Sequence, residues 1–191
     1  IVAFVIVYFL VIYRIKRGEF KYTSEDIQDY LVWAMIGVLL GARLGDVLFY
    51  NFDYYLFHPL EIFLPFDFSD GIRFTGISGM SYHGGVIGVA IITALFCRRR
   101  KFDFWKFTDL ICPAIPLGYT FGRVGNFING ELFGRVTTVP WGMYFPLDLG
   151  GSLRHPSQLY EAFFEGIFLF AVLWALRKKA PFDGALLAFY I

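Results

Sequence analysis

Long apolar stretches alternate with polar or irregular segments along the whole chain. Three stretches, at residues 31–50, 80–97 and 157–176, come close to the ~20 residues that a helix needs to cross a bilayer. A fourth, at residues 107–121, is shorter and contains two prolines. Because proline interrupts helical hydrogen bonds, this pattern predicts a broken or half-length membrane helix. The backbone groups freed by the break must then face protein or a water-filled cavity.

Apolar residues also fill both ends of the sequence. Residues 1–13 and the run that begins near Gly184 bring the expected number of membrane segments to about six. The chain starts without Met and stops inside an apolar run, so we expect a single integral membrane domain, residues 1–191, truncated at both ends. The predicted fold class is all-α: a polytopic transmembrane helical bundle with long structured loops on the outward, periplasmic side.

The composition supports the same class. Hydrophobic residues make up 57% of the chain and charged residues 17%, whereas soluble domains average about 45–50% and about 25%. Lys plus Arg number 17 against 16 for Asp plus Glu, so no basic excess would hold a nucleic acid. The two cysteines, Cys97 and Cys112, lie in apolar runs and predict no disulfide framework. These values argue against a soluble enzyme, a disordered tail and a nucleic-acid binder.

The basic residues are divided unevenly between the two sides of the predicted bundle. Twelve follow the first, third and fifth segments: Arg14, Lys16, Arg17, Lys21, Arg98, Arg99, Arg100, Lys101, Lys106, Arg177, Lys178 and Lys179. If the segments alternate, these twelve share one side, which the positive-inside rule makes cytoplasmic. The other five are all arginines on or near the outward side: Arg43, Arg73, Arg123, Arg135 and Arg154. Guanidinium binds phosphate with two donors, so they are candidate phosphate ligands. Topology bias with loop salt bridges is the alternative, and for Arg73 it is equally favoured.

The second apolar segment contains both small and charged residues. Gly37, Gly41 and Gly45 recur every four residues, which predicts a small-residue face for close helix packing. Arg43 and Asp46 lie three residues apart and therefore share a helix face. Because charges inside a span are costly, this pair indicates either a functional site or a structural ion pair, and both interpretations stay open.

His83 lies in the sequence SGMSYHGG, at the outward end of the third segment. The neighbouring glycines allow close approach of backbone or lipid, and histidine is the usual general base near neutral pH. A hydrogen-bonded polar residue without a catalytic role is the alternative. No second histidine or carboxylate stands at ligand spacing, so we expect no metal site. His58 and His155 each precede a proline and are predicted to be turn residues first.

The outward segments, residues 51–79 and 122–156, are long enough to carry function, and residues 122–134 are the densest polar part. Arg123, Asn126 and Asn129 recur every three residues and would share a helix face. They predict an interfacial site for an anionic headgroup, with Arg123 on the phosphate and the asparagines on hydroxyls. Glu131 would hold an arginine, either Arg123 or Arg135. A polar network that only ties a re-entrant loop together is the alternative.

The sequence HPSQLYE at 155–161 carries helix-start signals, namely a proline followed by Ser157 as a candidate cap. Glu161 and Glu165 follow at i, i+4. Like charges at this spacing destabilise a helix unless a cation answers them. Arg135 and Arg154 are the candidates for that role.

Four blocks of the sequence resemble conserved motifs of the prolipoprotein diacylglyceryl transferase family: GARLGDVLFYN at 41–51, GMSYHGGVIG at 79–88, GRVGNFINGELFG at 122–134 and HPSQLYE at 155–161. They occur in the same order and cover essentially the whole chain. The resemblance implies a multi-pass enzyme of the bacterial inner (cytoplasmic) membrane. Such an enzyme transfers the sn-1,2-diacylglyceryl group of phosphatidylglycerol to the lipobox cysteine thiol of a prolipoprotein. A thioether forms and glycerol 1-phosphate leaves.

The resemblance also implies which residues do this chemistry. His83 and Arg123 become the catalytic residues, as base and phosphate ligand. The resemblance also places Asn126, Asn129, Glu131 and Gly134 in the site. With Arg43 and Arg135, which are candidates from the charge pattern alone, these residues and Arg123 are the expected ligands of phosphatidylglycerol. No cofactor or metal is implied, and the nucleophile is on the substrate. The implied partners are phosphatidylglycerol, the prolipoprotein signal peptide with its lipobox cysteine, and membrane lipids. Asp46 departs from the family, in which an aromatic residue is expected there.

Three alternatives remain at this point. A transporter or channel would explain a broken helix with intramembrane charges, and it would be favoured by an inverted repeat, which the sequence lacks. A metal-dependent enzyme acting on another phospholipid headgroup would need clustered aspartates in a span, and only single acids occur. A non-catalytic membrane scaffold would not explain the polar density of residues 122–134.

Overall fold

The computed structural model describes residues 2–62, 66–67, 73–74 and 79–191. Its helices are α1 (Val2–Lys16), α2 (Ser24–Phe49), α3 (Phe52–Phe57), α4 (Tyr82–Arg100), α5 (Phe104–Ile111), α6 (Ile115–Asn129), α7 (Ser157–Glu161), α8 (Leu169–Leu176) and α9 (Ala185–Tyr190). Short 3₁₀ helices lie at Pro59–Ile62 and Cys112–Ala114, and a π-helix lies at Ala162–Phe168. The strands β1 (Phe66–Asp67) and β2 (Arg73–Phe74) form one antiparallel pair, Phe66 opposite Phe74. Apart from this pair the described elements are helical, so the all-α prediction is confirmed.

Two of the described helices are long and apolar enough to cross a membrane. They are Ser24–Phe49, with 26 residues, and the continuous helix Ser157–Leu176, with 20 residues. Both helices expose large apolar side chains. Leu39 and Leu48 on the first helix, and Phe164 and Phe168 on the second, are each more than half exposed. Apolar surface of this extent suits contact with lipid better than contact with water. The predicted segment 80–97 coincides with most of α4, and the apolar run 1–13 lies in α1.

The chain divides into two compact units, Gln28–Phe104 and the combination of Ile1–Ile27 with Trp105–Ile191. In the first unit, α2 packs against α4 through glycines on both helices. A Cβ atom added to Gly41 would lie 2.6 Å from the Cα of Gly88, and one added to Gly45 would lie 2.6 Å from the Cα of Gly84. These distances leave no space for a side chain. The predicted small-residue packing face is therefore confirmed, with Gly84 and Gly88 as its partners.

We expect Gly41→Ala to lower the free energy of unfolding by about 1–3 kcal/mol, because the new methyl group meets backbone atoms that cannot move aside. The matched control is Gly122→Ala in the interior of α6, where an added Cβ meets nothing within 4 Å. There alanine should raise stability by up to about 1 kcal/mol, since it favours the helix more than glycine does. Unfolding of the two variants and the wild type in mixed micelles measures both effects. Equal stability of the two variants would contradict close α2–α4 packing.

In the second unit, the helical segment formed by α5 and α6 is interrupted near Pro113 and Pro116, as the sequence predicts. A 3₁₀ turn at Cys112–Ala114 separates α5 from α6, and α6 begins with Pro116 in its first turn. The predicted end near residue 121 is wrong, since α6 continues through Gly122 and Gly125 to Asn129. Packing of α6 on α1 and on the helix Ser157–Leu176 outweighs the weak helix propensity of these glycines. The helix ends at Gly130, whose φ of 69° is the left-handed conformation that glycine adopts without strain.

The π-helix Ala162–Phe168 lies where the helix Ser157–Leu176 meets α6. A Cβ atom added to Gly166 would come within 3.0 Å of the Cβ of Thr120, so the two helices are in close contact there. Thr120 Oγ1 also donates to the carbonyl oxygen of Ala162 at 3.4 Å. π-Helical turns inside α-helices are frequent at functional sites because they reorient the side chains that follow. Here the π-helix directly follows Glu161 and includes Glu165.

A buried carboxylate fixes the last helix of the second unit. Asp109 in α5 is 6% exposed, and its two oxygens accept the backbone N–H groups of Gly184 at 2.7 Å and Leu186 at 2.9 Å. These are N–H groups at the start of α9 that have no partner inside their own helix. Asp109 therefore caps α9 from a residue 75 positions earlier in the chain.

Candidate functional site

Arg123 in α6 is held by one edge of its guanidinium group. Its Nε lies 2.7 Å from Tyr119 Oη, one helical turn earlier, and 2.7 Å from Oε2 of Glu161 in α7. Its Nη1 and Nη2 have no hydrogen-bond acceptor among the residues that the structure describes, and the side chain is 25% exposed. The two terminal nitrogens form the planar fork that binds phosphate with two donors. Arg123 is thus fixed at one edge and available at the other.

Tyr119 connects Arg123 to both acidic residues of the facing helix. Its hydroxyl lies 3.2 Å from Oε2 of Glu161 and 2.9 Å from Oε2 of Glu165. The prediction that Arg135 or Arg154 answers these two carboxylates is wrong, because Arg123 pairs with Glu161 instead. Tyr119 was not identified from the sequence, although its i, i+4 spacing to Arg123 on one helix face was a usable signal.

Asn126, Asn129 and Glu131 form a second polar group just after Arg123. Glu131 Oε1 accepts the side-chain N–H groups of Asn126 at 2.8 Å and of Asn129 at 3.3 Å. These two hydrogen bonds, that of Asn126 first, lower the pKa of Glu131. The prediction that Glu131 holds an arginine is wrong: α6 ends at Asn129, so the chain turns Glu131 back onto the asparagine face of its own helix.

Gln158 connects the end of this segment to α7. It is 0% exposed, and its Nε2 donates to the carbonyl oxygen of Glu131 at 2.6 Å. Ser157 donates through Oγ to the carbonyl oxygen of Leu132 at 3.2 Å. The segment that follows α6 is therefore fastened to the first turn of α7 at two successive carbonyl groups. Gln158 could not be predicted as a site residue, because a single glutamine in a helix start carries no periodic signal.

Gly134 allows a close approach between the segment that follows α6 and the residues just before α7. Its backbone N–H donates to the carbonyl oxygen of His155 at 2.9 Å, and an added Cβ would lie 3.0 Å from both the Cβ and the carbonyl oxygen of that residue. A larger residue would push the segments apart. The next residue, Arg135, is exposed and accepts the backbone N–H of His155 at 3.1 Å. Its side chain has no ion-pair or hydrogen-bond partner among the described residues.

Arg154 stabilises the loop that precedes α7. Its Nε and Nη2 donate to the two oxygens of Asp148 at 2.8 and 2.9 Å, a bidentate pair. Hydrogen bonds from Arg154, opposed by desolvation and reinforced by the backbone N–H groups of Gly150 and Ser152, lower the pKa of Asp148 from 3.8 to about 2. For Arg154, the geometry therefore favours the loop salt bridge over a role as a phosphate ligand.

This pair predicts a pH dependence. The pKa of Asp148 is lowered in the folded protein, so its contribution to stability is present above the ordinary value of 3.8 and is lost as pH falls through about 2. We expect the difference in unfolding free energy between wild type and Asp148→Asn to be constant near neutral pH and to shrink below pH 3.8. Chemical denaturation across this pH range measures it. A difference that stays unchanged down to pH 2 would contradict the ion pair.

In the first unit, His83 lies in the first turn of α4. Ser81 caps this helix by accepting the N–H of Gly84 at 3.2 Å, and the N–H of Ser81 itself donates to the carbonyl oxygen of Ala42 at 2.9 Å. The imidazole is exposed, and its Nδ1 lies 3.5 Å from Tyr50 Oη. The ring is therefore anchored on a rigid helix start and reachable from outside.

Arg43 is bound by the protein itself. It donates to the carbonyl oxygens of Ile62 at 2.9 Å, Glu61 at 2.5 Å and Gly79 at 3.3 Å. Its Nη1 lies 3.9 Å from Oδ2 of Asp46, so the predicted ion pair forms, at a long distance. A guanidinium engaged in this way ties the two ends of segment 62–79 to α2. The structural interpretation of Arg43 is therefore better supported than a role as a phosphate ligand.

The predicted site residues thus fall into two groups. Arg123, Asn126, Asn129, Glu131, Gly134 and Arg135 lie in the second unit, whereas His83 and Arg43 lie in the first. The side chain of Arg73 lies outside the described residues. Within the part of the chain that the structure describes, no three His, Cys, Asp or Glu side chains are grouped as metal ligands. What the second unit offers chemically is a fixed guanidinium fork and, close to it in sequence, an ordered set of amide and carboxylate groups.

Comparison with known proteins gives a consistent result. The profile of the family described as prolipoprotein diacylglyceryl transferase matches residues 1–191. Similar proteins named phosphatidylglycerol–prolipoprotein diacylglyceryl transferase occur in Chlorobaculum tepidum, with 57% identity over 100% of this chain and 66% of the relative, and in Campylobacter hominis, with 47% identity over 100% and 67%. One from Wolinella succinogenes is 51% identical over 92% of this chain and 63% of the relative. The chain therefore spans about two thirds of the length of these relatives.

Proposed function

The chain belongs to the prolipoprotein diacylglyceryl transferase family, and from this premise we propose that it transfers a diacylglyceryl group from phosphatidylglycerol to a prolipoprotein. The observation that carries the proposal is the guanidinium of Arg123, held at Nε by Tyr119 and Glu161 with both terminal nitrogens available. This is the arrangement that a phosphodiester needs when one of its ester oxygens must leave. The family membership does not favour the transporter alternative.

In the proposed reaction, the thiol of the lipobox cysteine loses its proton to His83 and becomes the reactive thiolate. The sulfur attacks the glycerol carbon that bears the phosphate, a carbon–sulfur bond forms, and the carbon–oxygen bond to phosphate breaks. The electron pair of that bond goes to the leaving glycerol 1-phosphate. Arg123 stabilises the negative charge that grows on this oxygen, because its fork is oriented before the reaction begins.

Asn126, Asn129 and Glu131 are proposed to bind the glycerol headgroup of phosphatidylglycerol. The carboxylate of Glu131 orders both amides, which leaves each amide oxygen available to accept a hydrogen bond from a hydroxyl. Gly134 and Gln158 maintain the segment that carries these residues. Arg135, exposed and unpaired among the described residues, is a second proposed phosphate contact. Arg43 is proposed only to hold residues 61, 62 and 79 against α2.

We infer that the protein is a multi-pass protein of the bacterial inner membrane. Arg123, Asn126, Asn129 and Glu131, which we call the Arg123 group, then lie toward the periplasm. The two apolar helices support membrane insertion, and the asymmetry of twelve basic residues against five supports the orientation. Lateral entry of both substrates from the bilayer follows, since each carries a lipid or apolar part. The partners are then phosphatidylglycerol and the signal peptide of a prolipoprotein.

The function is tested directly with the full-length protein. Phosphatidylglycerol labelled in its glycerol backbone is presented in vesicles together with a lipobox peptide, and thioether formation is followed by mass. We expect labelled diacylglyceryl on the cysteine, and none on a peptide in which serine replaces that cysteine. Two results would contradict the proposal. One is a lipobox peptide that stays unmodified, and the other is transfer from a donor lipid whose headgroup has no phosphate.

The orientation is tested by single cysteines. Cysteines placed at Phe57 and Val139 should react with a membrane-impermeant thiol reagent added from outside, and one at Arg99 should react only after the membrane is opened. Phe57 is 79% exposed and Arg99 is exposed. The native Cys97 and Cys112 are buried and supply the background measurement. The reverse labelling pattern would place the Arg123 group on the cytoplasmic face.

A further inference from the structure

A basic surface depression lies in the second unit, apart from the residues assigned to the proposed reaction. It has a volume of about 370 Å³ and is formed where α1 and α8 end. Four of its lining residues are basic, Arg14, Arg17, Arg177 and Lys178, and one is acidic, Glu19. We call it the basic depression. Its volume is within the range of about 300–1,000 Å³ that small-ligand sites occupy.

Arg14 forms the floor of the basic depression. The residue is 1% exposed, and its Nη1 donates at 2.6 Å to the carbonyl oxygens of both Asp109 and Leu110. Its Nε pairs with Glu19 at 2.8 Å. Its Nη2 has no acceptor among the described residues. A buried guanidinium held rigidly by three acceptors, with one nitrogen left over, presents a fixed donor rather than a mobile surface charge.

The single carboxylate is shared between two arginines. Glu19 Oε2 accepts from Arg14, and Oε1 lies 3.3 Å from Nε of Arg177. Arg177 also donates through Nη1 to the carbonyl oxygen of Trp174 at 2.5 Å, and its Cζ lies 4.4 Å from the centroid of the Trp174 ring. Its Nη2 has no acceptor in the described chain. Burial alone would raise the pKa of Glu19, but hydrogen bonds and charge from Arg14 and Arg177 lower it overall. Glu19 therefore stays ionised and neutralises only one of the two.

Arg17 and Lys178 add two further charges at the rim. Both are exposed, and neither has an ion-pair partner among the described residues. Cations near a helix C-terminus are expected from the helix dipole and from the positive-inside rule. Lys16 and Lys179 meet that expectation equally well, however, and they do not line the basic depression. The four lining cations against one carboxylate leave an excess of three positive charges around one cavity.

We propose that the basic depression binds a phosphate-bearing anion, with Arg14 and Arg177 as fixed donors and with Arg17 and Lys178 as the charges that attract it. Partly desolvated guanidinium groups interact strongly with phosphate, because the low local dielectric strengthens the attraction and several N–H donors converge. On the orientation inferred above, the site faces the cytoplasm. Basic pockets between membrane helices on that side are suited to the headgroups of anionic lipids. A free phosphate compound offers the same chemistry.

Two double variants with the same loss of charge test the proposal. Arg17→Gln with Lys178→Gln removes both rim charges, and Lys16→Gln with Lys179→Gln removes their sequence neighbours outside the basic depression. Purified full-length protein in a neutral detergent is titrated with short-chain phosphatidic acid, and bound lipid is counted by native mass spectrometry. We expect the first double variant to bind roughly tenfold more weakly than wild type and the second to bind like wild type. Binding at the Arg123 group would contribute equally to both.

Inorganic phosphate distinguishes the two sources of the anion. If it competes with phosphatidic acid in the wild type but not in the first double variant, phosphate alone is sufficient for binding. If the lipid binds and inorganic phosphate does not compete, the occupant is an anionic lipid. Two results would overturn the proposal. Equal weakening of binding in both double variants would mean that diffuse surface charge attracts the lipid, and absence of binding by the wild type would mean that there is no site. If either double variant does not fold, the single variants Lys178→Gln and Lys179→Gln are compared in the same way.

Discussion

Arg123→Lys is expected to lower the rate of transfer by roughly 10²–10³-fold, although it conserves the charge. Arginine uses Nε to bind Tyr119 and Glu161 and keeps two further nitrogens for the substrate. Lysine has a single nitrogen, which cannot occupy both positions. The ammonium group would pair with Glu161 and leave the leaving oxygen unassisted. Thioether formation on a lipobox peptide in phosphatidylglycerol vesicles measures the effect, and Arg123→Ala should be no more active.

The matched control is Arg100→Lys, the same change at an exposed ion pair with Asp29. Its rate should stay close to wild type, and the amount of protein in the membrane should be the same for all variants. A fully active Arg123→Lys enzyme would mean that a diffuse positive field is sufficient for phosphate recognition. Loss of the Arg123 variants from the membrane would instead make Arg123 a structural residue that joins α6 to α7.

His83→Gln is expected to slow the chemical step by roughly 10²–10⁴-fold and to leave lipid binding largely intact. Glutamine can preserve a hydrogen bond but cannot take a proton from the substrate thiol. At high pH more of that thiol is ionised without help, so the variant should recover part of its rate. Single-turnover transfer across a range of pH measures both effects.

His58→Gln is the control for the histidine, since its imidazole stacks on Tyr54 and lies 3.0 Å from the carbonyl oxygen of that residue. This variant should transfer at nearly the wild-type rate. Unchanged turnover of His83→Gln at neutral pH would reduce His83 to a hydrogen-bonding partner of Tyr50. A slow His83→Gln variant with no recovery at high pH would place its role outside proton transfer.

The sequence by itself determined the features that depend on local periodicity and length. The glycines at positions 37, 41 and 45 predicted close helix packing because residues four apart share one helix face. The prolines predicted the interruption between α5 and α6, because proline cannot complete the helical hydrogen bonds. Long motifs such as GRVGNFINGELFG were sufficient to predict the family.

Only the tertiary structure decided which side chains meet. Glu161, which binds Arg123, is 38 residues away, and no local pattern distinguishes it from Glu131 as a partner. Because α6 ends at Asn129, Glu131 turns back and binds asparagines. The helix reaches that residue only because packing compensates for the low helix propensity of Gly122 and Gly125. Arg14 looked like one of twelve topology-setting charges, yet the fold buries it against carbonyl oxygens of α5. The free energy of such contacts depends on distance in space, which the order of residues along the chain does not specify.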